Sequence, residues 1–314
     1  MAVKAIAIDS GKYATKAATR KQDGTERDLV FRTKMEVGTL RSEAQGNSYI
    51  VCYEGKKYLI GEQAETISGK TTKAEEIHRI CAYTAISQLA ESGDDLIIAI
   101  GCPLTTYENA VARKAYKEYM FPSKELTITV NNVTKHYNIK TVIVMPESSG
   151  VIYQDEAKYK DATVGVIDIG GLNVNCCVYR QIVPILSTLY TSNLGSNVLT
   201  QGLINTLQTI YNEDIPAWMA EDIVKDGYMI DNTSPDGKLA GSEKTIEDYK
   251  KQHIKKIISE CEKNGWNMRT TRLIFSGGTA QLLEKEIRAI YPTATICEDA
   301  GMANVRGFLK QITD

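Results

Sequence analysis

The chain has 314 residues, 43% of them hydrophobic, with a formal net charge of -2 and a pI near 6.1. That length suits two ordinary domains with a sizeable core in each. Basic runs never exceed two residues, which argues against salt-driven DNA binding by bulk charge.

The hydrophobic pattern alternates between strand and helix periods, predicting an α/β protein. Short strands come first, at 5–9, 15–20 and 28–33, and "YIVCYEGKKYLIG" reads as a hairpin turning at Glu54-Gly55. "TKAEEIHRICAYTAISQLAES" has helical spacing, with Ile77, Ile80, Cys81 and Thr84 on one face. A buried strand "LIIAIGCP" stops at Pro103, and "YENAVARKAYKEYMF" predicts a helix. Strands on either side of Asn131-Asn132 lead to "MPESSGVIYQDEA", where another helix should begin. The second half repeats the scheme. Hairpin strands over 164–190 precede a helix after Gly195, and further helices are expected over 218–224 and 243–264. "RLIFSGGTAQLLEKEIRAIYP" reads as strand, Gly-Gly turn and helix, and "ANVRGFLKQI" as a closing helix. No low-complexity linker separates the halves, so tight packing around a cleft is expected.

The start "MAVKAIAIDS" lacks a signal-peptide profile, and no apolar run reaches the length of a membrane span. Seven scattered cysteines without a CxxC pair read as thiols of a reducing cytosol. A cytoplasmic protein without membrane contact is therefore expected. His78, His136 and His253 are solitary, so no zinc site is predicted.

One motif is written twice. "KAIAIDSGKYATKAATR" and "VGVIDIGGLNVNCCVY" each run an apolar strand into an aspartate, turn on glycine and leave in alternating residues. Aligning Asp9 with Asp168 brings Gly11 onto Gly170. Tight turns of small residues aim backbone N–H groups outward, where they can bind phosphate. An aspartate there needs an intervening cation, so Asp9 and Asp168 imply Mg²⁺ held through water. One copy alone would read as an ordinary turn. Two in-phase copies read as a clamp on one polyphosphate.

"AETISGKT", from Ala64 to Thr71, is a rival phosphate loop, with alanine in place of the first glycine. Its strand ends early, at Gly61, so a plain loop before a helix is the better reading. In "SGGTAQLL", Gly277-Gly278 and the following helix start make a surface on which a nucleotide can lie. In "VMPESSG", Pro146 should set the chain entering a helix with Glu147 in its first turn. There Glu147 is either a helix-start carboxylate or a group orienting the water that attacks a γ-phosphate.

As an ordered set these segments resemble the superfamily of actin, heat-shock chaperone and sugar-kinase ATPases, and most nearly the ParM-type bacterial actin-like proteins that segregate plasmids. "IAIDSGKYATK" and "VIDIGGLNVN" are similar to its two phosphate motifs, and "VIVMPESSGVIY" to its first connecting helix. "NLGSNVL", "IFSGGTAQLL" and "ANVRGFLKQ" resemble its glycine loop, adenosine motif and second connecting helix. The resemblance implies an actin-like fold of two duplicated RNase H-like domains around a nucleotide cleft. Domain I would take 1–152, with the C-terminal helix at 300–314 packing back on it, and domain II 153–299. It implies an ATPase using Mg²⁺ and ATP, with GTP as the alternative. Glu147 and Asp168 would be catalytic, and Asp9 and Asp168 would serve the metal. Asp9, Ser10, Gly11, Lys12, Tyr13 and Lys16, then Gly170, Gly171 and Asn173, then Gly195, Ser196, Gly277, Gly278 and Thr279 would bind the nucleotide. Leu172, Asn173, Val174 and Asn175 stand where the family often has threonines and an aspartate, and Ser10 where some relatives have a second acid. Asparagine can hydrogen-bond phosphate or a hydrated metal but cannot neutralise charge.

The function implied is nucleotide-dependent filament formation, the homopolymer moving plasmid DNA through a DNA-binding adaptor of ParR type, so that DNA is touched only indirectly. A small-molecule kinase and a non-polymerising nucleotide switch are the alternatives on the same fold.

Overall fold

A computed structural model describes residues 3–21, 23–68 and 72–313. The chain divides into two units, residues 1–156 with 302–314, and residues 157–301.

The first unit holds β1 (Val3–Ser10), β2 (Ala14–Arg20), β3 (Glu26–Arg32), β4 (Met35–Val37), β5 (Ser48–Tyr53), β6 (Lys56–Gly61), β7 (Asp95–Cys102), β8 (Glu125–Val130) and β9 (Val133–Pro146). They form one mixed sheet in the order β3-β2-β1-β7-β9-β8-β5-β6-β4. β1 runs antiparallel to β2 and parallel to β7, and β7 runs parallel to β9. Alternation along β1 decides what covers each face. Ile6 and Ile8 join the core that includes Ile77, Ile80 and Cys81 of the helix Glu76–Leu89. Ala7 points the other way, with Ala18 and Ala99, into a cluster with Phe308 and Leu309 of the helix Ala303–Thr313. The three small alanines leave room for the Phe308 ring. Both faces of β1 are thus covered, and each buried Ile contributes roughly 1.5–3 kcal/mol.

The second unit repeats the first five positions of that order. β10 (Thr163–Ile169), β11 (Val174–Arg180), β12 (Val183–Ser192), β13 (Arg272–Ser276) and β14 (Thr295–Ile296) lie as β12-β11-β10-β13-β14. The first three are antiparallel neighbours and the last two run parallel to β10, as β7 and β9 do to β1. Ile167 and Ile169 are buried with Leu199 and Leu203 of the helix Ser196–Tyr211 and Ile254 and Ile257 of the helix Ser242–Lys263.

Three local expectations differ from the structure. The helix expected over "YENAVARKAYKEYMF" is broken, because the Asn109 side chain accepts from the N–H groups of Val111 and Ala112 and caps a new helix, Ala110–Met120. The helix after Gly277-Gly278 is likewise two pieces, Gly278–Leu282 and Glu284–Ile290. Glu147 is not in a helical first turn. β9 stays paired with β7 as far as Pro146 opposite Cys102, and Ser148 has φ +67, so the helix is delayed to Gly150.

Candidate functional site

The two hairpins have the same register. Asp9 lies opposite Lys16 and Ser10 opposite Thr15, while Asp168 lies opposite Asn175 and Ile169 opposite Val174. Residues 11–13 therefore occupy in the first turn the places that 170–172 occupy in the second. Asp9 and Asp168 lie one residue before the ends of their strands, both under a tenth exposed.

Around the first turn, Asp9 and Glu147 come together on a residue that the sequence pattern did not single out, Lys73, with Lys12 and Lys16 near enough to act on the charges of the group. Its Nζ lies 3.0 Å from Asp9 Oδ1 and in contact with Glu147 Oε1. Glu147 is placed by the sheet, its N–H donating to the Cys102 carbonyl at 2.9 Å. Burial by itself would raise the Asp9 carboxyl, but Lys73 and Lys16, with hydrogen bonds from Lys73 and Asn304, hold it below its usual value. Burial would likewise lower Lys73, but Asp9 and Glu147 outweigh it and keep the ammonium charged. Lys12 is lowered, by burial first and by Lys73's repulsion, against the pull of Glu147.

Ser10 is turned inward. Its hydroxyl is fully buried and donates to the His78 carbonyl at 3.1 Å, with Thr15 Oγ1 at 3.3 Å. Only the backbone of Ser10 is left to face a ligand. Tyr13 lies at the tip of the turn with the Arg32 guanidinium stacked 3.7 Å from its ring centre.

Around the second turn the backbone does most of the work. The Gly170 N–H donates to the Asn173 carbonyl at 2.9 Å, closing the turn. The helix at Ser196 docks on it: the N–H of Ser196 donates to Gly170 O at 3.1 Å and that of Asn197 to Gly171 O at 2.9 Å. The Thr279 hydroxyl also donates to Gly170 O, at 3.0 Å. These approaches need glycine. A Cβ at Gly195 would stand 2.5 Å from the Leu172 carbonyl carbon, and one at Gly277, where φ is +87, 2.5 Å from Asp168 Oδ1. Gly278 has open space where a side chain would be. Gly170, Gly171, Asn173, Gly195, Ser196, Gly277, Gly278 and Thr279 are thus gathered around the end of β10 with Asp168. Two N–H groups at the start of the helix Ser196–Tyr211 are committed to the turn, and the helix at Gly278 is a single turn with little dipole.

The rival phosphate loop does not take helical form where it is described. β6 ends at Gly61 and Thr66 bridges back to Met35, while Gly69, Lys70 and Thr71 lie outside the described residues. A groove of about 610 Å³ lies at the other end of β10 and β13, lined by Val164, Arg272 and Tyr291, and holds none of the predicted site residues.

For metal, no group of three or more His, Cys, Asp or Glu side chains among the described residues could form a cage. Each hairpin by itself offers a single strand-end carboxylate, which suits a Mg²⁺ that arrives with phosphate oxygens and waters rather than one held in a protein cage. No helix among the described residues is long and apolar enough to cross a membrane.

Residues 7–150 match the family model of the actin-like proteins' N-terminal domain. The family match stops at residue 150, and the solved structures carry the fold across the rest of the chain. Its actin-like fold extends over both units. It is similar to the archaeal actin homolog Ta0583 at a TM-score of 0.81, with 20% identity and 98% of each chain covered. The Alp12 filament structure matches at 0.75 with 29% identity, over 99% of this chain and 98% of that one. A 15-stranded ParM filament from Clostridium botulinum matches at 0.76 with 19% identity over 99% of both. Another structure of the archaeal homolog is a complex with ADP. No curated protein matches the chain.

Proposed function

We propose that this actin-like chain binds ATP, with GTP as the alternative, hydrolyses it, and assembles into filaments whose lifetime follows the bound nucleotide. The observation that carries this is the buried group of Asp9, Lys73 and Glu147 at the end of a phosphate-type hairpin whose register the second unit repeats.

In this reading the backbone of 10–13, with Lys12 and Lys16, takes phosphate from the first hairpin, and Gly170, Gly171 and Asn173 from the second. Gly195, Ser196, Gly277, Gly278 and Thr279 shape the surface that meets the nucleoside. Bound Mg²⁺ would neutralise phosphate charge, with Asp9 and Asp168 holding its waters. Glu147 accepts a hydrogen bond from a water at a carboxylate oxygen and orients it toward the terminal phosphate. The two domains, 1–152 with 300–314 and 153–299, would each contribute one of the phosphate hairpins.

Self-assembly is supported by the Alp12 and ParM filament structures among the relatives. A cytoplasmic ParM-type role in plasmid segregation, with a DNA-binding adaptor of ParR type, is the specific form we favour, since the acidic chain itself offers DNA no basic run.

The test is light scattering after Mg-ATP addition, read beside phosphate release, on the wild type and Glu147→Ala. We expect polymer first and phosphate later in the wild type. The variant should release phosphate on the order of a hundredfold more slowly and its filaments should outlast the wild type's. Unchanged release would reduce Glu147 to a strand-end carboxylate. Acceptor-dependent ADP production would favour the kinase, and nucleotide binding without polymer the switch.

A further inference from the structure

Asp9 and Glu147 share one cation. Lys73 comes from a different part of the chain, immediately before the helix Glu76–Leu89, and reaches Asp9 at 3.0 Å and Glu147 in direct contact. The three side chains are 4%, 11% and 11% exposed, so protein rather than water compensates their charge. A lysine buried this deeply is uncommon unless paired, and this one is paired with both the metal-side and the hydrolytic carboxylate.

Counting charges and donors shows what else it can do. The ammonium is matched by two carboxylates, while Lys12 and Lys16 add positive charge beside them, so the neighbourhood as a whole favours an anionic ligand. An ammonium also has three N–H donors, and Asp9 and Glu147 take two. The third can meet another acceptor without breaking the first two bonds. Its compact charge on a flexible stem suits a single phosphate oxygen better than a guanidinium fork would.

We propose that Lys73 is a γ-phosphate-binding residue, its third N–H meeting the terminal phosphate of a nucleoside triphosphate while the other two hold Asp9 and Glu147. This rests on the nucleotide reading above. A diphosphate lacks the acceptor, so Lys73 distinguishes the two nucleotide states and ties that distinction to the carboxylate that positions water.

The experiment is equilibrium binding of Mg-ADP and of a non-hydrolysable Mg-triphosphate analogue to the full chain, as wild type, Lys73→Met, and Lys73→Met with Glu147→Gln. The double variant avoids two buried carboxylates without their cation and carries the test should the single one fold poorly. Losing a hydrogen bond between charged partners should weaken triphosphate binding about tenfold or more, with diphosphate binding within about threefold of wild type. Equal losses for both nucleotides, or no loss for the triphosphate, in a variant with an intact unfolding transition would overturn the assignment. A wild type that binds neither nucleotide would overturn the nucleotide reading itself, and this inference with it.

Discussion

The two hairpins share a backbone and differ in how charge is handled. In the first, Asp9 faces Lys16 across the ladder and is held by Lys73, so side chains of opposite sign converge on the turn. In the second, the place of Lys16 is taken by Asn175, whose amide oxygen accepts from the Thr191 hydroxyl, and the turn is held by helix N–H groups on its carbonyls. The register, which backbone pairing dictates, is the same in both, while the side chains around it differ. Each unit does place a buried histidine near its hairpin. His78 carries the carbonyl that Ser10 bonds, and His253 Nε2 lies 3.0 Å from the carbonyl of Leu194, next to Gly195.

The largest test of this contrast is to remove the cation from the first hairpin. Lys73→Met leaves Asp9 and Glu147 buried together and should cost about 3–5 kcal/mol in urea unfolding. The matching change in the second, Asn175→Leu, removes no charge and loses the exposed hydrogen bond from Thr191, and should cost about 1 kcal/mol or less. Equal costs would mean the two turns are held alike. Next comes Gly195→Ala, which pushes a methyl into the second turn's backbone and should cost about 1–3 kcal/mol with nucleotide binding weakened. An unchanged midpoint would show that the docked helix has slack.

Stability should also depend on pH. Burial, then the positive charge of Lys73, pushes His78 down to about 3, with Lys12 adding to the repulsion and Asp9 opposing it. Burial lowers His253 as well, against its hydrogen bond to Leu194. Below about 6.5 the unfolded chain binds protons these buried rings refuse, so stability should fall as pH drops from 6.5 toward 3. The depressed Asp9 carboxyl adds a loss in the same direction only below about 3.8. His78→Gln should flatten the upper part of this slope, and an unaltered profile would exclude His78 as its source. The smallest effect expected is from Lys16→Asn, which copies the second hairpin's residue into the first. Triphosphate affinity should fall by up to about threefold, more at low salt than at high. A salt-independent result would mean Lys16 acts through shape.

Much of the fold was legible because local patterns carry it. The helix after Gly195 begins at Ser196, and Gly55, Asn131 and Asn132 stand at positive φ, where glycine and asparagine are favoured. Helix ends were less legible, since Asn109 interrupts a run with unbroken helical composition and the β7–β9 pairing holds Glu147 out of the next helix. In the candidate site the glycines and aspartates of both turns were readable, whereas Ser10 gave no sign that its hydroxyl points into the core.

The chain's order of apolar runs, turn glycines and strand-end aspartates was enough to determine an α/β protein with a repeated hairpin, because strand period and turn chemistry act over a few residues. The partner of Asp9 was decided by tertiary structure alone. Lys73 lies 64 residues away along the chain, three beyond the lysine of the loop that looked like a phosphate site. Nothing in "TTKAEEIH" marks it, because a surface lysine and a buried one are written alike. Only the packing of the helix Glu76–Leu89 against β1 brings it where two carboxylates make its burial affordable.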